Sequence, residues 1–307
     1  MAVYTPIDQS ELQGWLTNFS VGTLKDFRGI SSGVTNTNYL VETETDKFIL
    51  TIFEDNEREE LPFFFDLMGF LASKSFSCPL PVKNNNNLYL TPIKNKPAVL
   101  VSFLMGASKE DVTESDCYEV GVSLAKLHSS AKDFPGKRKN NRNIDWISDK
   151  FNDLKASLSN SDKRIIELEI YYQKNIPIDG LPVGIIHGDL FRDNVFFHEN
   201  KLSAFIDFYY ACNDHLILDV ATVINDWCSD PQGVIEKEKF DLFLSGYQSL
   251  RKLDGLEFES LANFLRLSAL RFWVSRLDAY YNILEGENIL IKNPDYFKKV
   301  LLDRQGV

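Results

Sequence analysis

Residues 184–208, GIIHGDLFRDNVFFHENKLSAFIDF, place a short apolar run, a polar loop and two apolar β-type runs joined by a polar turn where helix-period sequence lies on both sides. Any fold for this chain has to house a strand, a loop and a hairpin among helices. The loop holds His187, Asp189 and Asn194, and the second hairpin strand ends at Asp207. A turn centred on Asn200 and Lys201 sets Asn194 opposite Asp207, whereas one centred on Glu199 and Asn200 moves them apart by two positions. Either way the pairing brings both residues to one end. An amide oxygen and a carboxylate beside Asp189 form an oxygen-rich site that suits magnesium, which keeps further positions for water and for the phosphates of a nucleotide. Taken singly, each residue is an ordinary turn former. The joint pattern HxDxxxxN, with an Asp 13 residues beyond Asn194 closing an apolar strand, points to chemistry.

Around that segment the chain divides by period. Residues 24–53 read as a three-strand meander, with turns at SSGVTNT and ETD. Residues 56–74 have helical spacing, with Pro62 early enough to mark the true start. PLPVKNNNNLYLTPIKNKPAVLVSFL reads as two or three further strands, the asparagine run being a surface hairpin tip. After Met105 helix prevails: ESDCYEVGVSLAKLHSS, with Thr113 or Ser115 as its cap, then 146–174, 216–228, 237–250 and 258–284. An α+β chain is expected, with an N-terminal antiparallel β-sheet lobe plus helix at 1–104 and a larger, mainly helical lobe at 105–307. A length of 307 residues suits two lobes, and 44% hydrophobic with 25% charged residues excludes disorder and coiled coil.

A formal net charge of −11 repels phosphate backbones and anionic lipid, so nucleic acid and membrane are not expected partners. The basic run KRKNNR at 137–142 reads as a solvated loop. Cys78, Cys117, Cys212 and Cys228 have no paired spacing and read as buried thiols of a reducing compartment. The first residues, MAVYTPIDQS, do not have the pattern of a signal peptide, and the longest apolar runs are too short to cross a bilayer. A cytoplasmic protein follows; oligomeric state has no signal in the sequence.

The HxDxxxxN…D pattern resembles the catalytic and metal-binding segments of protein-kinase-like phosphotransferases. HGDLFRDN, with glycine before Asp189, and IDF are similar to the aminoglycoside phosphotransferase-like small-molecule kinases. NTNYLV, FILTIFE…EELPFF, IIHGDLFRDNVFF, INDWC and RFWVSRL together resemble the homoserine kinases of that family, nearly along the whole chain. The resemblance implies a protein-kinase-like two-lobe fold, ATP and Mg2+ as cofactors, and phosphorylation of L-homoserine to O-phospho-L-homoserine for threonine biosynthesis. It implies that Asp189 orients the attacking hydroxyl and that Asn194 and Asp207 hold the metal. His187 becomes a packing residue of the loop, and Asp219 the aspartate that braces it. A kinase for choline, methylthioribose or an aminoglycoside stays open, as does a nucleotide-binding pseudokinase.

On the nucleotide side, Gly29, Ser31, Ser32 and Gly33 in GISSGVTNTNY could cover the phosphates, though a plain hairpin turn needs the same residues. Thr51 stands where protein kinases carry a lysine, so the missing charge falls to magnesium, lid amides or a residue such as Arg192. AVLVSFLMG at 98–106 reads as the last strand and the hinge, with the backbone of Ser102, Phe103 and Leu104 facing adenine. An amino-acid acceptor needs an acid and a cation. Asp214 or Asp226 suits its ammonium, and Arg271 or Arg276 its carboxylate. Asp219 and Asp226 lie seven apart, on one helix face, and His128 reads as a helix-face residue packing beside the loop.

Overall fold

A computed structural model of the chain describes residues 5–30, 36–54, 58–282 and 292–306, divided into two units, one ending at Met105 and the other beginning at Gly106. The first unit starts with α1 (Gln9–Leu16), an element for which the sequence reading has no counterpart. Asp8 and Glu11 form a reciprocal capping box at its start. Strands β1 (Leu24–Gly29), β2 (Thr37–Thr43) and β3 (Lys47–Ile52) follow as the expected meander. Then come α2 (Leu61–Ser73), β4 (Pro81–Val82) and β5 (Ala98–Ser102), and the antiparallel sheet has the order β1-β2-β3-β5-β4.

Burial along β2 alternates with period two, and Tyr39 and Val41 join Leu50, Ile52 and Leu100 in a core closed by Leu12, Trp15 and Leu16 of α1. Each such aliphatic side chain, fully buried, contributes about 2 kcal/mol. The expected helix over 56–74 starts later, at Leu61, because Pro62 lacks an N–H and fits only the first turn. Between α2 and the unit's end two strands form, not three. The asparagine run is more than a tip: Asn84 closes the turn onto the Leu88 carbonyl at 2.8 Å, and the Asn85 amide donates to the Asn18 carbonyl at 2.8 Å, docking the turn beside the end of α1.

The second unit opens with α3 (Glu114–Ser130), capped by Thr113 in a capping box with Asp116. The single helix expected over 146–174 is two helices, α4 (Ile144–Leu154) and α5 (Asn160–Lys174), because the Ser159 side chain caps a new start by accepting from the Asp162 amide. Next come β6 (Val183–Ile186), β7 (Val195–His198), β8 (Lys201–Phe205) and β9 (Cys212–His215). The unit ends with α6 (Leu216–Trp227), α7 (Lys237–Leu250), α8 (Gly255–Tyr281) and α9 (Asp295–Gln305). Strand β9 pairs antiparallel with β6, a partnership that a four-residue strand does not announce. Ile147, Phe151, Ile166, Leu270, Trp273 and Phe297 knit α4, α5, α8 and α9 into one core.

The basic run at 137–142 corrects the reading of a solvated loop. It lies along β9, with Lys139 bridging to Asn213, so its side chains alternate. Lys137, Lys139 and Asn141 are exposed, whereas Arg138 is buried and Asn140 and Arg142 are partly buried. Arg138 donates through its amide to Asn213 Oδ1 at 2.8 Å and through Nη1 to the Ala211 carbonyl at 3.3 Å. All four cysteines are buried free thiols, as read from their spacing. Among the described residues no helix is long and apolar enough to cross a membrane.

Candidate active site

The β7–β8 hairpin sets the spacing of the site. Glu199 and Asn200 both have positive φ, 50° and 60°, the signature of a type I′ two-residue turn. From there His198 pairs with Lys201 and Phe197 with Leu202, but beyond a bulge Phe196 pairs with Ala204 and Val195 with Phe205. Ser203 is the extra residue, its hydroxyl donating to the Phe196 carbonyl at 3.1 Å. Of the two turn centres open to the sequence the structure takes Glu199–Asn200, and the bulge recovers one position. The Asn194 carbonyl therefore accepts from the Ile206 amide at 2.9 Å, and Asp207 falls one residue beyond. Asp207 itself is left-handed, φ 60° and ψ 59°, a conformation that costs a non-glycine residue about 1 kcal/mol or more and occurs mostly where function holds it.

Helix α6 fastens the loop 187–194 at several points. Asp219, fully buried, accepts from the His187 amide at 2.6 Å and the Gly188 amide at 2.8 Å, and His128 Nε2 lies 3.3 Å from the same carboxylate. Two turns on, Asp226 accepts from the Arg192 amide at 2.8 Å. Between them in the loop, the Leu190 carbonyl accepts from Trp227 Nε1 at 3.3 Å, and Phe191 inserts into the helical core with its ring 4.4 Å from that of Phe272. His187 Nε2 faces the Ile206 carbonyl at 2.9 Å while Nδ1 accepts from the Asp189 amide at 3.3 Å, the pattern of a neutral imidazole protonated at Nε2. His187 is thus a packing residue, fully buried against the Phe208 ring. Gly188 has φ +77°, and a Cβ there would lie 2.8 Å from the Tyr210 carbonyl, so no other residue fits without movement.

The loop brings Asp189 and Asn194 together: Asn194 Nδ2 donates to the Asp189 carbonyl at 2.7 Å and to its Oδ2 at 3.1 Å. Burial pushes the Asp189 carboxyl up to about 8, opposed by Arg271 and reinforced by Asp207 and Asp193. Burial likewise pushes Asp207 up to about 6, with Asp193 adding repulsion and the Tyr209 amide opposing it. Burial also raises Asp219, but His128, His187 and the Gly188 amide outweigh it and hold that carboxyl below the usual range. Two aspartates that repel one another, with an amide whose N–H2 group is already engaged, leave oxygen donors whose negative charge Arg271 offsets only in part. That donor set fits a hard divalent cation. Among the described residues no three His, Cys, Asp or Glu side chains form a metal cage, and a site with two protein ligands and substrate phosphates needs none.

Other expected residues are placed differently. Asp214 has both oxygens engaged, by Asn140 Nδ2 at 2.6 Å and by the amide of His215 at 2.7 Å with its Nδ1 at 2.9 Å. Arg192 is not free to supply the missing cation: its guanidinium donates to the carbonyls of Asp226 and Glu110. Arg276 donates to the Asn293 carbonyl at 3.2 Å and stacks on Phe297, whereas Arg271 is buried. In the first unit Thr51 is buried on β3 and donates to Asn38 Oδ1 at 2.8 Å, a neutral cross-strand pair. The Ser102 and Phe103 amides donate to the Leu80 and Lys47 carbonyls, so of the three residues expected at the hinge Leu104 is the one whose amide lies outside this pairing. Gly29 ends β1; Ser31, Ser32 and Gly33 lie outside the described residues. Sequence reasoning missed the bracing by Asp226 and Trp227, although their shared helix with Asp219 was the available signal.

This arrangement of a braced HGD loop, a following asparagine and an aspartate at the foot of a hairpin is that of a phosphotransferase: the chain belongs to the Phosphotransferase enzyme family, whose profile matches residues 26–253. It is 38% identical over 301 residues to a homoserine kinase of Methylobacillus flagellatus, covering 98% of this chain and 94% of that one. It is 41% identical over 309 residues to a homoserine kinase of Xanthobacter autotrophicus, covering 98% and 95%. Among solved structures it is similar to an amicoumacin kinase in complex with AMP-PNP and Ca2+, with a TM-score of 0.72, 16% identity, and 97% and 92% of the two chains covered. That likeness bears out the α+β, protein-kinase-like fold class.

Proposed function

We propose that the protein transfers the γ-phosphoryl group of ATP to the hydroxyl of L-homoserine, giving ADP and O-phospho-L-homoserine, a step of threonine biosynthesis in the cytoplasm. The observation that carries this reading is the Asp189–Asn194 pair held by α6 beside Asp207, together with full-length relatives that are homoserine kinases. Asp189 orients the acceptor hydroxyl and accepts its proton as the oxygen–phosphorus bond forms and the bond to ADP breaks. Burial raises that carboxyl, so its ionised form is a stronger base than an exposed carboxylate. Asn194, through Oδ1, and Asp207 hold magnesium. The ion, when bound, neutralises charge on the phosphates. Asn194 Nδ2 meanwhile keeps Asp189 in one orientation.

On the nucleotide side Gly29 and the hinge residues Ser102, Phe103 and Leu104 are assigned to ATP, with Ser31, Ser32 and Gly33 as covering residues. Ser102 and Phe103 contribute carbonyls and surface, since their amides are engaged in the sheet. For the acceptor's ammonium Asp226, engaged by Arg192 at one oxygen, is preferred to Asp214, whose two oxygens both accept within the fold. Phosphoryl transfer rests on positioning and charge neutralisation, so this division of labour suffices without a lysine at Thr51.

A coupled ADP-release assay with Mg-ATP and homoserine, choline, methylthioribose or kanamycin tests the reading. Stimulation by homoserine above the rest is expected. Preference for another acceptor moves the substrate, and no stimulation by any favours the pseudokinase.

A further inference from the structure

We propose that Arg142, from the loop along β9, and Arg271, from α8, together form the receptor for the acceptor's α-carboxylate. The inference rests on the homoserine reading and extends it to a residue that the sequence reading left in a solvated loop. Arg271 is only 5% exposed, and among the described residues its guanidinium has no hydrogen-bond or ion-pair partner; its one recorded contact is the neighbouring Phe272 ring at 4.6 Å. The carboxyl in its field is Asp189, which among the described residues forms no ion pair with it, so a guanidinium buried here is disfavoured unless something that binds there completes it.

Arg142 has the complementary preparation. Its guanidinium carbon lies 4.3 Å from the Trp146 ring centre and 5.8 Å from that of Tyr210, and among the described residues no carboxylate pairs with it. Stacking fixes the plane of a guanidinium while leaving its N–H edge for a ligand, and a planar fork matches a carboxylate through two bonds. Arg142 and Arg271 are close enough to repel, and Asp189 and Tyr210 share the field of both or of one of them. Arg142 adds a second positive charge to the field that Asp189 shares with Arg271, so a further anion beside the pair is favoured. Tyr210 ties the pair to the reacting group, because its carbonyl closes over Gly188, the residue before Asp189. Arg276, with its own carbonyl and aromatic partners, is left to structure.

The same chemistry could serve a nucleotide phosphate, and kinetics separate the two. For Arg142→Met we expect the KM for homoserine to rise roughly ten- to hundred-fold, as loss of a charge-assisted pair implies. The KM for ATP should stay within about twofold, with kcat changed far less than the homoserine KM. 3-Aminopropan-1-ol, which is homoserine without its carboxylate, should act equally well on wild type and variant, as substrate or as competitive inhibitor. Arg142→Lys should recover part of the loss, and the melting temperature of Arg142→Met checks folding at a partly exposed position. Should Arg271→Met fail to fold, Arg142→Met decides alone. An unchanged homoserine KM in a wild-type-active background overturns the receptor and leaves the function standing. A rise in the ATP KM instead, or an equal loss with 3-aminopropan-1-ol, also overturns it. A wild type inactive on homoserine removes both.

Discussion

Replacing Asp219 by asparagine separates the bracing of the loop from its chemistry, because Asp219 touches no reacting atom. Its two oxygens accept from the His187 amide at 2.6 Å and the Gly188 amide at 2.8 Å, with His128 Nε2 at 3.3 Å, and none of the carboxylate is exposed. Asparagine keeps one acceptor and turns an N–H2 group towards the other amide. One charge-assisted bond is lost, about 1.5–3 kcal/mol, and a buried donor is left facing a donor, about 1–3 kcal/mol more. A total of about 2.5–6 kcal/mol is a large part of the roughly 5–15 kcal/mol typical of a domain. Displacing Gly188 also moves Asp189, so kcat should fall at least about a hundredfold. Since the folded carboxyl titrates below its ordinary value, the stability it contributes is fully present above the ordinary carboxylate pKa and is lost as pH falls through the lowered one. Urea unfolding of both proteins should therefore give a constant gap from about pH 5 to 8 that narrows below about pH 4. A variant within about 0.5 kcal/mol of wild type with full activity, or a gap that widens in acid, would refute the reasoning.

Three further outcomes follow from the same geometry. Gly188→Ala meets the Tyr210 carbonyl at 2.8 Å in a left-handed conformation, so chemical unfolding should report a loss of about 2 kcal/mol or more. Asp189→Asn should abolish turnover yet stabilise the metal-free protein at pH 8. With the folded carboxyl raised to about 8, wild type is favoured below the unfolded pKa and loses that advantage as pH rises through the folded one. Partial access of solvent reduces the full effect to about 1–3 kcal/mol, and the two proteins should converge near pH 4 in urea titrations. Asp207→Asn should raise the magnesium concentration for half-maximal activity by roughly tenfold or more while the fold, followed by circular dichroism, is kept.

Much of this site was legible because its residues are punctuated by pattern. The apolar run before His187, the polar loop and the hairpin stand out from helical surroundings, and Asp219 with Asp226 announces one face of α6. The bulge at Ser203 was not legible, since serine is as common in regular strands and turns as in bulges, and a single extra residue leaves the alternation nearly intact. For a similar reason Ser159 was read through, although its hydroxyl is what stops one helix and starts the next. The run at 137–142 was misread because charge argues for solvent only when nothing pairs with the backbone, and its pairing partner, Asn213, is some 70 residues away in sequence. The charge of Asp226 matches it to a ligand; the structure gives one of its oxygens to the Arg192 amide, a main-chain donor invisible in any motif, a second role that the sequence does not announce.

The unequal strands of the β7–β8 hairpin, four residues against five, make it a spacer with a built-in offset. Its length is the constraint, and only β8 has a residue to spare. Removing Ser203 would leave Phe196 opposite Ala204 and Asn194 opposite Ile206, whereas removing one residue from β7 would shift Asp207 by one position along the strand relative to Asn194. A survey of length variants selected for growth without threonine should therefore recover single deletions in β8 and none in β7.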